Sequence, residues 1–320
     1  MTNTKKGVGA LGMIAILLVV FLGIVFIWKG FEFFLGTSTT TTFEMSEWSE
    51  NRFTFDSDIG FLENVLWILS KNFAYQNGMN GGLYDIPWDK ISELVCWNCK
   101  RGIPPEELIS SQLFKRVNQT YKEYFKNLTI TLENHTPLNF TYTRDFVKFY
   151  YKANFSYSPD NEFYMNSTNI WINATVPIRF FLLYDKAKEF VENEEINDNL
   201  QEDMWATKVC VSTGELSEDE TKEIVERNLD DIADYWSGYW AGSGAGLHLS
   251  LVNGLIDYTS ILYSGSMDTN RIYQINFSYI VNATVRDEDE RRMVPTEDGM
   301  KYLDLNFGLN KSVRLKRHVI

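Results

Sequence analysis

From Val8 to Trp28 the chain runs for 21 residues without a charged side chain, and no other feature of the sequence limits its folding as strongly. At about 1.5 Å per helical residue such a run matches a hydrocarbon core of about 30 Å, which predicts one membrane-spanning helix. A cleaved secretory signal has an apolar region of only about 7 to 15 residues followed by a small-x-small cleavage site. Neither trait is present, so a permanent anchor in contact with lipid through residues 8–28 is expected. Lys5 and Lys6 outweigh Lys29 across the run, and the positive-inside bias then leaves the N-terminus in the cytoplasm. The expected location is the plasma membrane, crossed once, with everything after residue 36 outside.

A second feature agrees with that orientation. Asn-x-Ser/Thr acceptors stand at Asn118, Asn127, Asn134, Asn139, Asn154, Asn166, Asn173, Asn276, Asn282 and Asn310. Random placement of 26 Asn among 44 Ser and Thr in 320 residues gives roughly 3.6 such triplets. The excess is that of an N-glycosylated exported chain, since each acceptor must lie on exposed backbone.

The acceptors fall into two groups, 118–175 and 276–312, and the helical-looking stretches 58–77 and 185–260 contain none. In 275–285, Phe277, Tyr279, Val281, Ala283 and Val285 share one face of a period-2 strand while Asn276, Ser278, Asn282 and Thr284 share the other. In 166–176, Ile170, Ile172, Ala174 and Val176 are expected inside with Asn173 and Thr175 outside. The i, i+2 spacing of a sequon suits the solvent face of a one-side-buried antiparallel sheet.

After the anchor (1–36) and a Thr-rich spacer (37–57), residues 58–320 are expected to form the exported domain, with a sub-boundary near 184. A hydrophobic share of 44% gives it ample core. Beyond residue 36, 27 Lys and Arg face 42 Asp and Glu, a net of −15. Such a surface argues against nucleic acid, which requires clustered cations. Helices are expected at 58–78, closed by Gly78, near 91–95, over 106–125 behind Pro104-Pro105, over 184–195, from Glu218 to about Trp236 behind a Ser217–Glu220 capping box, and over 247–262. Strands are expected through 128–183, and 272–286 should pair with 300–315 across an acidic loop. The fold class read from this order is α+β, a transmembrane helix followed by a mostly antiparallel sheet with several helices.

Catalytic candidates are few. Cys96-Trp-Asn-Cys99 has redox-dithiol spacing, but no second CxxC or paired His completes a zinc set, and no βαβ context precedes it. In an oxidising exterior a structural disulfide is expected, Cys96 to Cys99 or one of them to Cys210. The three His, His135, His248 and His318, are scattered. Asp230, Asp231 and Asp234, and Asp287 to Glu290, offer calcium-type oxygens without EF-hand spacing. The glycines of 241–249 lack a phosphate-loop ending and read as a turn between helices. Trp171, Trp205, Trp236 and Trp240 belong either to the core or to a carbohydrate or partner surface, and the core is the expectation taken.

Lys5-Lys6-Gly7 ahead of an uncharged apolar helix resembles the class III signal of archaeal type IV pilin-like surface proteins. The resemblance implies cleavage after Gly7 and packing of the helix into a filament core; the fifth residue beyond the implied cut is Gly12, where such subunits usually carry Glu. The function expected is a membrane-anchored surface glycoprotein with a non-enzymatic structural, adhesion or partner-binding domain, its partners other surface proteins or itself. The alternatives are a pilin-like filament subunit and an exported redox enzyme using Cys96 and Cys99.

Overall fold

The structure, a computed structural model, describes residues 49–84, 86–158, 165–194, 196–197, 200, 218–265, 271–296 and 298–319. Residues 1–59 and 60–320 are separate compact units. Helix α1 runs over 49–79.

The expected fold class is corrected at its first element. Among the described residues no helix is long and apolar enough to cross a membrane, and the run 8–28 that carried the expectation lies outside them. The physical contrast is visible in α1, which buries Leu62, Val65, Leu66 and Leu69 on one face but interleaves Asp58, Glu63 and Lys71. The described chain is α+β with antiparallel sheets.

Helix α1 ends at 79, one residue beyond the glycine expected to close it. Gly78 is still helical, and a side chain there would collide with the Asp304 carbonyl, so glycine serves close packing. Gly81, at φ +66°, makes the left-handed turn. Gly82 N–H donates to Asn77 O at 2.8 Å and Gly81 N–H to Gly78 O at 3.1 Å, the paired bonds of a Schellman cap.

The expected helix near 91–95 is instead a small hairpin, β1 (Lys90–Ile91) and β2 (Leu94–Val95), turned by Ser92 and Glu93 with φ of 46° and 70°. Two adjacent positive φ angles match the twist of a two-residue hairpin. Helix α2 (Glu106–Tyr124) follows Pro105 as expected, with Glu106 and Glu107 at its positive end.

The first sheet is built on β5 (Val147–Tyr157), which pairs antiparallel with β3 (Thr131–His135), β4 (Asn139–Tyr142) and β6 (Met165–Val176). Val147, Phe149, Tyr151, Ala153, Ile172, Ala174 and Val176 are buried on its inner face, where α2 supplies Tyr121 against Tyr151 and Phe114 against Phe140. The strand expected to reach 183 stops at Val176, because Pro177 carries no backbone donor. Phe180, Phe181, Leu183, Tyr184 and Ala187, at helical spacing, open the buried face of α3 (Phe180–Asn193).

Helix α4 (Glu218–Trp240) leads through the 3-10 turn Ala241–Ser243 into β7 (Ala245–Gly265); Ser217, half of the expected capping box, lies outside the described residues. The helix expected at 247–262 is thus a strand. Leu247, Leu249 and Leu251 alternate with His248 and Ser250, and that period of two pairs them with Val285, Ala283 and Val281 of β8 (Arg271–Asp287). As expected, β8 also pairs with β11 (Asp304–Val319), so β8 is the central strand of the second sheet. Phe190 of α3 meets Trp236 of α4 at 5.6 Å over this sheet, and Trp240 is buried. The short pair β9 (Val294–Thr296) and β10 (Gly299–Lys301) closes the link between β8 and β11.

Arg179, the residue before α3, is 7% exposed and forks onto Asp287 at the end of β8, itself 2% exposed. Its Nε donates to Asp287 Oδ2 at 3.1 Å, one Nη to Oδ1, and the guanidinium also reaches the carbonyls of Ser243 and Gly244. These bonds, the Asp287 carboxylate first, hold the guanidinium above its ordinary pKa.

Arg179→Leu leaves Asp287 buried without its partner and is expected to lower the unfolding free energy by about 3 to 5 kcal/mol. Urea melts check this, and adding Asp287→Leu should recover part of the loss.

Candidate interaction and modification surface

On the outer face of the first sheet the strand register gathers sequon acceptors. Asn154 lies opposite Asn134, and Tyr150 lies opposite both Asn139 and Asn173. Asn127, Asn134, Asn139, Asn166, Asn173 and Asn310 are exposed, while Asn118 and Asn154 are half-buried. Asn154 Oδ1 already accepts from the Asn169 N–H at 2.7 Å, where Asn169 has φ 58° beside the bulge. Asn282 differs from its expectation: it keeps the outward phase but sits half-buried in the central strand, with its Oδ1 buried. The side chain of Asn276 lies outside the described residues.

Trp171, expected in the core, is 53% exposed on this outer face. Its ring lies 6.2 Å from that of Tyr150, and Lys152 Nζ stands 4.7 Å above it. The correction was legible in the phase of the strand. With Ile172, Ala174 and Val176 inside, Trp171 must share the outside with Asn173 and Thr175. Trp236 and Trp240 are core residues as expected, and Trp205 lies outside the described residues.

Cys96 and Cys99 form a disulfide; Cys210 lies outside the described residues. Cys96 is fully buried, in a parallel bridge to Gly308 of β11. Trp97 stacks on Phe307 at 4.4 Å, and Asn98 exchanges two hydrogen bonds with the backbone of Asn310, at 2.7 and 2.8 Å. The CxxC loop therefore docks on the edge of β11, an edge otherwise open to pairing. Redox dithiols present an accessible first cysteine at a helix N-terminus, and this arrangement has neither property.

Among the described residues no group of three or more His, Cys, Asp or Glu side chains is placed to hold a metal ion. Asp230, Asp231 and Asp234 are spread on the solvent face of α4. Asp287 is engaged by Arg179, and a hydrogen bond from Arg291 holds Asp289 down to about 2. The glycine-rich turn joins a helix to a strand rather than two helices, with Gly244 at φ 66°. His135 packs against Phe125 and Tyr151, and His248 is exposed on β7; the His318 side chain lies outside the described residues.

A groove of ≈ 530 Å³ opens beside α2, lined by Phe73, Tyr84, Gln112, Lys115 and Arg116 among others. Arg116 is sandwiched there between the rings of Tyr84 at 3.5 Å and Phe73 at 4.3 Å, and it donates to Asn77 Oδ1 at 2.7 Å. Its charge is spent on positioning α1 and α2 against each other. A separate aromatic surface, free of acceptors, lies on α4, where Tyr235 is 69% and Tyr239 63% exposed.

No family model, curated protein or solved structure matches the chain.

Two outcomes follow from this geometry. Closing the four-residue ring Cys96–Cys99 accounts for about 2 kcal/mol by loop entropy. Cys96→Ser with Cys99→Ser should lower stability by that order, and the native protein should resist alkylation at Cys96 even with mild reductant. Burial raises the phenols of Tyr121, Tyr151 and Tyr184, the latter two to about 12. Because the folded values lie above about 10 for an unfolded tyrosine, their contribution is complete below pH 10 and is lost as pH rises through 12. Phenolate absorbance should therefore show a late titrating group that appears together with unfolding.

Proposed function

We propose that this chain is an exported, N-glycosylated cell-surface protein, held at a membrane by its uncharged N-terminal run, whose folded domain serves envelope structure, adhesion or partner binding. One observation carries the reading: four acceptors, Asn134, Asn139, Asn154 and Asn173, are brought by strand register onto one outer sheet face, three of them exposed. A glycosylating enzyme needs such access. The acceptor-free face of α4, with Tyr235 and Tyr239 among Asp231 and Asp234, is where partner contact is placed, since exposed tyrosines supply contact area at low entropic cost. The buried Cys96 stands against the alternative of an exported redox enzyme.

Intact mass of the native protein, with glycopeptide mapping, is the test. Hexose-type mass at Asn134, Asn139 or Asn173 is expected, and bare asparagine at all ten acceptors would sink the proposal. The same spectrum reads the N-terminus: a chain starting at Val8 would move the reading to the pilin-like filament subunit.

A further inference from the structure

We propose that Trp171 and Tyr150 form a stacking platform for the first sugar attached to Asn173, so that this glycan is a folded part of the sheet surface rather than a free chain. The inference rests on the glycoprotein reading above. Trp171, Asn173 and Thr175 follow one another on the exposed face of β6, with Ile172 and Ala174 buried between them and Val176 buried beyond. Residues i and i+2 on a strand are about 6.7 Å apart and project to the same side. A sugar leaving Asn173 Nδ2 therefore lies alongside the indole.

The cross-strand neighbour of Asn173 is Tyr150, and that of Trp171 is Lys152. Asn173 thus stands in a corner made by two rings 6.2 Å apart, one along its own strand and one across. Lys152 Nζ sits 4.7 Å from the Trp171 ring centre and Lys148 Nζ 5.8 Å from that of Tyr150. The C–H face of a pyranose suits the negative faces of the rings, and its hydroxyls suit the ammonium donors at the rim. The base of the corner is fixed, because the Asn173 N–H donates to Glu63 Oε1 at 3.0 Å, anchoring this strand edge to α1. An indole 53% exposed on a sheet face is otherwise an unfavourable choice.

The contrast with other acceptors sharpens the assignment. On the same sheet face the residue two before the acceptor is Leu132 for Asn134, Pro137 for Asn139 and Lys152 for Asn154; Phe125 and Tyr164 stand two before Asn127 and Asn166, but Phe125 belongs to a 3-10 turn and packs on Tyr121 and Tyr151. In the attachment, Asn173 Nδ2 forms a bond to C1 of a sugar activated on a phosphate-linked lipid carrier. The C1–O bond breaks, the carrier phosphate leaves with the electron pair, and Nδ2 loses one proton. Tethering then holds the sugar at the rings at a high effective concentration.

The test is a double-mutant cycle on the full chain purified from a glycosylating host, with occupancy of Asn173 read by glycopeptide mass. Thermal midpoints are compared for the native protein, Trp171→Ala, Thr175→Ala (which abolishes the sequon but keeps Asn173) and the pair. Trp171→Ala should lower the midpoint of the glycosylated protein by about 2 to 4 °C, the shift expected of one good aromatic contact. In the Thr175→Ala background it should change the midpoint little, and Trp171→Phe should restore part of the shift. Additive effects with Asn173 occupied overturn the platform and leave the glycoprotein reading intact. A bare Asn173 beside other occupied acceptors likewise overturns the platform alone, whereas ten bare acceptors overturn both.

Discussion

The fork of Arg179 onto Asp287 is the contact on which the rest of the domain depends. It ties the N-terminus of α3 to the end of β8 and, through the carbonyls of Ser243 and Gly244, to the turn between α4 and β7. Three segments distant in sequence meet at one guanidinium. A buried pair of this kind adds little over an apolar substitute in stability; its value here is geometric, because five fixed donors hold several acceptors at set angles. The Glu288 N–H bond to Gly244 O at 3.0 Å and the Asp287 N–H bond to Leu303 O at 2.9 Å extend the same junction.

From that junction the two sheets take different roles. The second sheet buries its inner face under α3 and α4, and even Lys311 lies inward, paired with Glu194, with burial pushing its ammonium down to about 8. The CxxC loop covers part of the β11 edge, so the disulfide, the Trp97–Phe307 stack and the Asn98–Asn310 bonds form one structural unit. The first sheet buries one face under α2 and leaves the other to solvent, where register aligns acceptors and rings. Which sequon asparagines reach solvent on this sheet is decided by which face the helices leave bare.

Much of this was legible in the sequence wherever period and burial coincide. The alternation in 275–285 and 166–176 placed Tyr279, Val281, Ala283, Val285, Ile172, Ala174 and Val176 inside, and all are buried. Pro105 marked the start of α2. The errors have equally local causes. Residues 247–262 mix Leu with Asn, Gly and Asp, so the period of two is interrupted, and only pairing with β8 across register shifts makes the stretch a strand. The 91–95 segment became a hairpin because Ser92 and Glu93 hold left-handed angles that no propensity scale assigns to them. Trp171 was placed in the core by its chemistry although the phase of its own strand set it outside.

The sequence by itself determined the apolar run, the acidic surface, the ten acceptors and the inward phase of the long strands, because each follows from composition or from a period of a few residues. Tertiary structure alone decided that Cys96 pairs with Cys99, that Arg179 finds Asp287 108 positions away, and that Tyr150 stands across from Asn173. Those contacts join segments through register and burial, and register is a property of paired strands that neither strand carries alone.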